Sequence, residues 1–327
     1  MIKPIKGSWF EFQHPHPPES VFYNPALANF TKEQWALKIK EIAELGMEYL
    51  VLMAVAVDFK AYYPTDIFPE PDFFATENPL EVVLSAADKY GLKFFISNDW
   101  WGDAFNIEAI LTDPTIKKRR FKAIEELVDK FGHHPSFYGW YWASEAYIDK
   151  YFGERFIKYA NESSALARSL LPNSKILIAP FGTRVCVPDA KYAKQLEELD
   201  VDIIAYQDEV GVQKTKPEES KAIFAGLRQV HDQVPQRALW ADMEAFRFDG
   251  PVAWSPLLPA PFERLLKQME AISPYVDNIL IYQYQGLFNK PNTKAYAGAE
   301  GSEKLYSDYQ TWLKKNYPEM LKNFNNL

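Results

Sequence analysis

Residues 137–145 read Phe137-Tyr138-Gly139-Trp140-Tyr141-Trp142-Ala143-Ser144-Glu145, and residues 240–244 read Trp240-Ala241-Asp242-Met243-Glu244. Each is an aromatic-rich apolar run closed by a glutamate, with too few polar residues for a surface helix. Working outward from these two runs, similar short apolar or β-branched segments alternate with longer stretches of helical periodicity. The strand candidates are 5–12, 49–57, 93–98, 137–144, 175–180, 201–207, 237–243 and 278–284. This count of strand–helix pairs, with no Gly-rich phosphate fingerprint after the first strand, favours a closed barrel over a doubly wound open sheet. The expected fold is α/β, a single (β/α)8 TIM barrel with long rim loops.

The ends of the intervening helices carry their own signals. Thr31 with Gln34, and Thr215 with Glu218, have capping-box spacing. Asn78-Pro79 and Asp113-Pro114 put a capping side chain before a proline at the first helical position, where the missing N–H is not needed. Gly46, Gly91 and Gly132 stand where left-handed C-terminal turns belong. In the third helix Phe121, Ile124, Val128 and Phe131 predict the apolar stripe. Pro-rich stretches at 64–79 and 251–261 follow the second and seventh strands and read as rim loops.

A chain of 327 residues, 47% hydrophobic and without a break in composition, is expected to form one domain over 1–327. A net charge of −8 speaks against a polyanionic partner, so no nucleic acid is expected. The single cysteine, Cys186, rules out an intrachain disulfide framework. No apolar stretch is long enough for a signal peptide or a membrane span. The expectation is a soluble monomer, either cytoplasmic or a periplasmic or secreted form with its signal removed. Aromatic residues make up 16% of the chain, with nine tryptophans, which suits both a core and sugar-stacking platforms.

Catalytic groups on such barrels collect at strand C-termini. If Glu244 points to the barrel axis, strand alternation turns Asp242 and Trp240 the same way. Acids after the fourth and seventh strands match what glycosidic cleavage needs, one protonated and one ionised carboxyl across a sugar-sized gap. Glu145 is read as general acid/base, its pKa raised by aromatic burial, and Glu244 as nucleophile or as base for water. The competing readings are an N-terminal helix acid for Glu145 and an ion pair with Arg247 for Glu244. Asp208 and Glu209, before a glycine, are rival catalytic acids. Glu11 and Asp99 sit at other strand ends, and Gln207, Gln283 and Gln285 can bond sugar hydroxyls. Trp9, Trp100, Trp101, Trp142, Trp240 and Trp254 cluster near strand ends, with Trp100, Trp101 and Trp254 the best stacking candidates.

His14-Pro15-His16 raises a metal reading, but no third imidazole reaches the rim, so neither metal nor cofactor is expected and both histidines are read as cleft or substrate contacts. Cys186, in a rim loop after the fifth strand, would be a nucleophile only with a base nearby and is read as a buried or incidental thiol. Arg184 and Arg247 in rim loops leave room for an acidic substituent on the sugar. The chain is read as a glycosidase acting on a carbohydrate substrate. The alternatives are a carbohydrate-binding barrel without turnover and a metal-dependent hydrolase using His14 and His16.

The motifs Gly7-Ser8-Trp9-Phe10-Glu11, Tyr206-Gln207-Asp208-Glu209-Val210-Gly211 and Trp240-Ala241-Asp242-Met243-Glu244-Ala245-Phe246 resemble an uncharacterised-domain family of bacterial glycoside-hydrolase-like proteins. The resemblance spans nearly the whole chain. It implies a β/α barrel, sometimes labelled α-L-fucosidase-like, with Glu11, Asp208, Glu209 and Glu244 in the shared cleft. More broadly the chain is similar to the clan of retaining barrel glycosidases, clan A, with acids after strands four and seven. That clan has asparagine directly before its acid/base glutamate, where this chain has Ser144.

Overall fold

The computed structural model describes residues 1–145 and 147–324. Eight parallel strands close a barrel: β1 (Ile5–Phe10), β2 (Tyr49–Leu52), β3 (Lys93–Ser97), β4 (Phe137–Trp142), β5 (Lys175–Ile178), β6 (Ile203–Gln207), β7 (Ala238–Glu244) and β8 (Asn278–Tyr282). Each strand pairs with its sequence neighbours, and β8 returns to β1 through the pairs Ile5–Ile279, Gly7–Leu280 and Ser8–Ile281. Closure removes every sheet edge, which is what makes a strand set this apolar tolerable in water. The sequence-derived strands match the observed ones within a few residues.

The helices are α1 (Asn24–Ala28), α2 (Lys32–Glu44), α3 (Pro79–Tyr90), α4 (Ile107–Thr112), α5 (Pro114–Phe131), α6 (Glu154–Leu170), α7 (Ala190–Glu198), α8 (Pro217–His231), α9 (Phe262–Ile272) and α10 (Ser302–Asn316). The Thr31–Gln34 capping box is formed in both directions, at 3.3 and 2.9 Å. Asn78 and Asp113 cap α3 and α5 as their proline neighbours predict.

Three local expectations are corrected. Helix α8 begins one residue late, with Lys216 at its N-cap and its amide bonded to Glu219 at 2.8 Å, so the Thr215–Glu218 pair does not cap it. Proline at 217 makes this start natural, because its fixed φ suits the first helical position. Gly46 and Gly91 have φ of +74° and +70°, but Gly132 sits at −62°, so that helix ends without a left-handed residue. The buried face of α5 is formed by Ile116, Arg120, Ala123, Ile124, Leu127 and Phe131, with Phe121 and Val128 at its margins. Arg120 joins that face, its guanidinium lying over the Tyr159 ring, 4.5 Å from its centroid.

Inside the barrel, aromatic rings fill the lower layers. Trp240 of β7 packs 4.9 Å from Tyr49 of β2 and 6.2 Å from Phe95 of β3, measured between ring centroids. Above them Trp9 of β1 meets Tyr141 of β4 edge to face at 5.8 Å. The interior is therefore a packed core, and the chemistry is confined to the mouth. Both Pro-rich stretches lie there as expected, each beside a small antiparallel hairpin: Ala56–Val57 with Lys60–Ala61 after β2, and Phe246–Phe248 with Leu257–Pro259 after β7.

Candidate active site

Six of the strands, β1, β3, β4, β6, β7 and β8, deliver a polar group to the mouth, and β7 supplies two acids. Alternation along β7 turns Asp242 inward above Trp240. Its carboxyl is 2% exposed, and Oδ1 has no hydrogen-bond partner among the described residues. Burial first, then the charges of Glu244, Glu145 and Asp208, raise its pKa well above the carboxylate range. Asp242 thus lies within electrostatic reach of the acids that end β4 and β7.

Glu145 follows β4 by three residues and is half-buried as a residue. Burial still pushes its pKa up to about 7, against a hydrogen bond from Gln207 and the positive charge of His14, both of which favour the ionised form. A cavity of about 600 Å3 opens beside it, between Ile107 and Leu111 of α4 and Glu154, Arg155 and Phe156 at the start of α6. The segment carrying Glu145 is clasped from below: Asp99, after β3, accepts the Ser144 amide at 3.1 Å and the Tyr159 hydroxyl. Asp99 itself is raised by burial and restrained by Arg120.

Glu244 is held in a matching way. Its own amide donates to Asp208 Oδ1 at 3.1 Å, and Asp208 Oδ2 accepts from Gln268 of α9 at 2.6 Å. The Glu244 carboxylate accepts the Val212 amide at 2.7 Å. Gly211 makes that approach feasible, since a Cβ there would stand 2.9 Å from Glu244 Oε2. Burial and the neighbouring Asp208 carboxyl raise Glu244 to about 8, while Asp208 rises to about 6, mainly by burial. Asp208 faces the helices and the backbone it holds. Glu209, at φ +55°, accepts the amides of Gly182 and Arg184 at 3.2 Å each and ties the loop after β6 to the loop after β5.

The wall next to β7 comes from β8 and β1. Glu11 lies 3.1 Å from His14 Nδ1 and accepts from Gln283 Nε2 and from the Tyr282 hydroxyl. His14 Nε2 is 3.0 Å from Glu19 Oε2, and the other oxygen of Glu19 is 3.2 Å from His16 Nδ1. Burial alone would lower the His14 pKa; the two carboxylates outweigh it and push it up to about 9, so His14 is an imidazolium at neutral pH. Among the described residues no group of three or more His, Cys, Asp or Glu side chains has an arrangement that could hold a metal ion.

The tryptophans divide sharply. Trp254 is 74% exposed at the rim, whereas Trp9, Trp100, Trp101 and Trp240 are buried. Trp101 packs against Phe68 and Tyr63 and donates to Asn98, so it presents no free face for stacking. Sequence reasoning missed Glu19, Tyr159, Arg120, Gln268 and Tyr282. Glu19 directly follows Pro17-Pro18, three residues after His16, and could have been paired with the two histidines. The others lie far along the chain from the groups they hold, and carry no local signal.

No protein of curated function matches the chain by sequence. Among solved structures, a "putative alpha-L-fucosidase" from Bacteroides thetaiotaomicron superimposes with a TM-score of 0.74 at 17% identity, covering 95% of this chain and 94% of that one. The endo-β-1,4-mannanase of Thermotoga petrophila gives 0.64 at 11% identity, over 99% and 79% of the two chains. An endo-1,4-β-mannanase of Rhizomucor miehei gives 0.56 at 8% identity, over 96% of each. At such identities the likeness is one of fold, a closed (β/α)8 barrel. By sequence, residues 5–295 match the family described as a domain of unknown function (DUF4434), and the chain belongs to that family.

Proposed function

We propose that the protein hydrolyses O-glycosidic bonds of an oligosaccharide with two carboxyl groups at the barrel mouth. The observation that carries this reading is Asp242, whose buried carboxyl feels both Glu145 and Glu244 and so marks one cluster shared by the ends of β4 and β7. Glu145 is the proton donor: near pH 7 its protonated form is still abundant, and general acids work best with a pKa near the operating pH. Glu244 is the partner carboxylate, acting as nucleophile or as base for water. Burial and the Asp208 charge raise its pKa to about 8, so it acts through the fraction that is ionised, which the amide of Val212 favours. Asp242 accepts no comparable donor at Oδ1 and holds its proton, presenting a neutral carboxyl to a sugar hydroxyl. The likeness in fold to a fucosidase-like chain and to mannanases supports a carbohydrate substrate.

The test is product release from a panel of oligosaccharides and aryl glycosides by the parent protein, Glu145→Gln and Glu244→Gln. A loss of roughly a thousandfold in either variant, about 4 kcal/mol of transition-state stabilisation, is the expected result. With an aryl glycoside whose leaving group needs no protonation, Glu145→Gln should recover and Glu244→Gln should not. Equal release by all three proteins would remove both residues from the mechanism. Sugar binding without release by the parent would leave a binding barrel.

A further inference from the structure

Every strongly exposed aromatic side chain among the described residues, from Phe22 and Phe59 to Trp254 and Tyr296, lies in a loop that follows a barrel strand. None lies on the outer helices or the closed end of the barrel. Three of these mouth loops bring rings together at one point. His16, from the loop after β1, meets the Trp254 indole from the loop after β7 at 5.6 Å and the Phe105 ring from the loop after β3 at 6.0 Å. Trp254 is 74% and Phe105 64% exposed, so both keep most of their surface in water, an unfavourable arrangement for side chains that fill cores elsewhere in this chain.

The bridge is built. Ser255 Oγ accepts the Gly250 amide at 2.9 Å and donates to the Pro251 carbonyl at 2.9 Å, closing the turn that presents Trp254. The Leu257 amide donates to the Glu19 carbonyl at 2.9 Å, tying that loop to the β1 loop. Glu19 in turn links His16 to His14, and His14 is the cation that Glu145 feels. The aromatic bridge therefore stands next to the carboxyl cluster with one carboxylate, Glu19, between them. Exposed aromatic faces at a mouth that also holds buried oxygens without partners, Asp242 Oδ1 and Gln283 Oε1 among them, suit a ring that is apolar on its face and hydroxylated at its edge.

We infer that Trp254, with Phe105 and His16, forms a subsite that stacks a neutral pyranose unit of the substrate outside the cleaved bond, so that the protein takes oligosaccharides rather than simple glycosides. The location rests on the glycosidase reading; the binding does not.

The experiment uses the one strongly exposed indole as its own reporter, the other eight tryptophans being buried or, for Trp312, half-buried. Acrylamide quenching of tryptophan fluorescence is followed while cellohexaose, mannohexaose and xylohexaose are titrated into the full chain and Glu145→Gln; the Trp254→Ala and Trp254→Phe variants, which lack the reporter, are titrated with the same sugars by isothermal calorimetry beside the full chain. At least one hexasaccharide should shield the parent and Glu145→Gln from quencher. Trp254→Ala should weaken that binding about tenfold or more, and Trp254→Phe should restore most of it. No shielding by any of the three sugars, or unchanged affinity in Trp254→Ala, overturns the subsite. Product release is assayed on the same samples. Shielding without release discards hydrolysis and keeps the subsite, whereas release with unshielded Trp254 does the reverse.

Discussion

At the scale of single residues, the pKa of Glu145 sets a testable pH dependence. Its value of about 7 reflects burial, opposed by the Gln207 hydrogen bond and the His14 charge. A general acid is needed protonated and its partner carboxylate ionised, so with Glu145 near 7 and Glu244 near 8 hydrolysis should peak between these values and fall on either side. Replacing Gln207 with alanine removes a bond that favours the ionised form. The folded pKa of Glu145 should then rise, and the alkaline limb of the kcat/KM profile should move to higher pH. A profile unchanged in Gln207→Ala would show that this limb belongs to another group. Asp208, a rival catalytic acid on sequence alone, acts differently here: its two oxygens accept two backbone amides and Gln268.

At the scale of elements, the two candidate catalytic glutamates are held by the same device. An aspartate at the end of the preceding strand accepts a backbone amide at the end of the next: Asp99 of the β3 end for Ser144, and Asp208 of the β6 end for Glu244. A short, buried, twice-accepting carboxyl fixes the strand end to within hydrogen-bonding tolerance, as catalysis of this kind requires. Helix α9 completes the second clasp, because Arg264 donates to Gln268 Oε1 at 3.1 Å and so orients the Gln268 amide toward Asp208. In Asp208→Asn one oxygen must serve where two did, and Gln268 cannot turn to compensate while Arg264 holds it. One buried donor is left without an acceptor, at a cost of about 1–3 kcal/mol. Thermal unfolding should show that loss, and kcat should fall by roughly tenfold or more with KM little changed. A normal kcat in a destabilised Asp208→Asn protein would confine Asp208 to a structural role.

At the scale of the whole molecule, the carboxyl cluster acts against the stability of the fold. Glu145, Asp208 and Glu244 have folded pKa values of about 7, 6 and 8, above those of exposed carboxylates. In the unfolded chain these groups ionise at ordinary acid pH, while the folded state keeps their protons longer. Their contribution is fully present below the unfolded pKa values and is lost as pH rises through the folded ones. The protein should therefore lose stability between about pH 4 and 8 on their account. Glu244→Gln, which cannot ionise, should melt several degrees higher than the parent at pH 8 and close to it at pH 4. Equal melting temperatures at pH 8 would mean that Glu244 ionises freely in the folded state.

The sequence by itself determined the barrel, because eight apolar strands each followed by a helical period have few ways to bury both faces. It also located the mouth acids: Glu145 and Glu244 each close a run whose strand direction is set by chain order. Side-chain alternation placed Asp242 with Glu244 on the inward face without any knowledge of partners. What tertiary structure decided is which polar groups are free and which are already engaged. Asp208 and Glu209 looked equal to the other acids in sequence, yet both are occupied by backbone amides from loops that the chain brings together only on folding. Trp101 and Trp254 were equivalent candidates, but one faces Tyr63 and Phe68 inside the wall and the other faces water. Periodicity is local and survives in one dimension. Hydrogen-bond partners such as Asp208 and Gln268, sixty residues apart, exist only once the strands close.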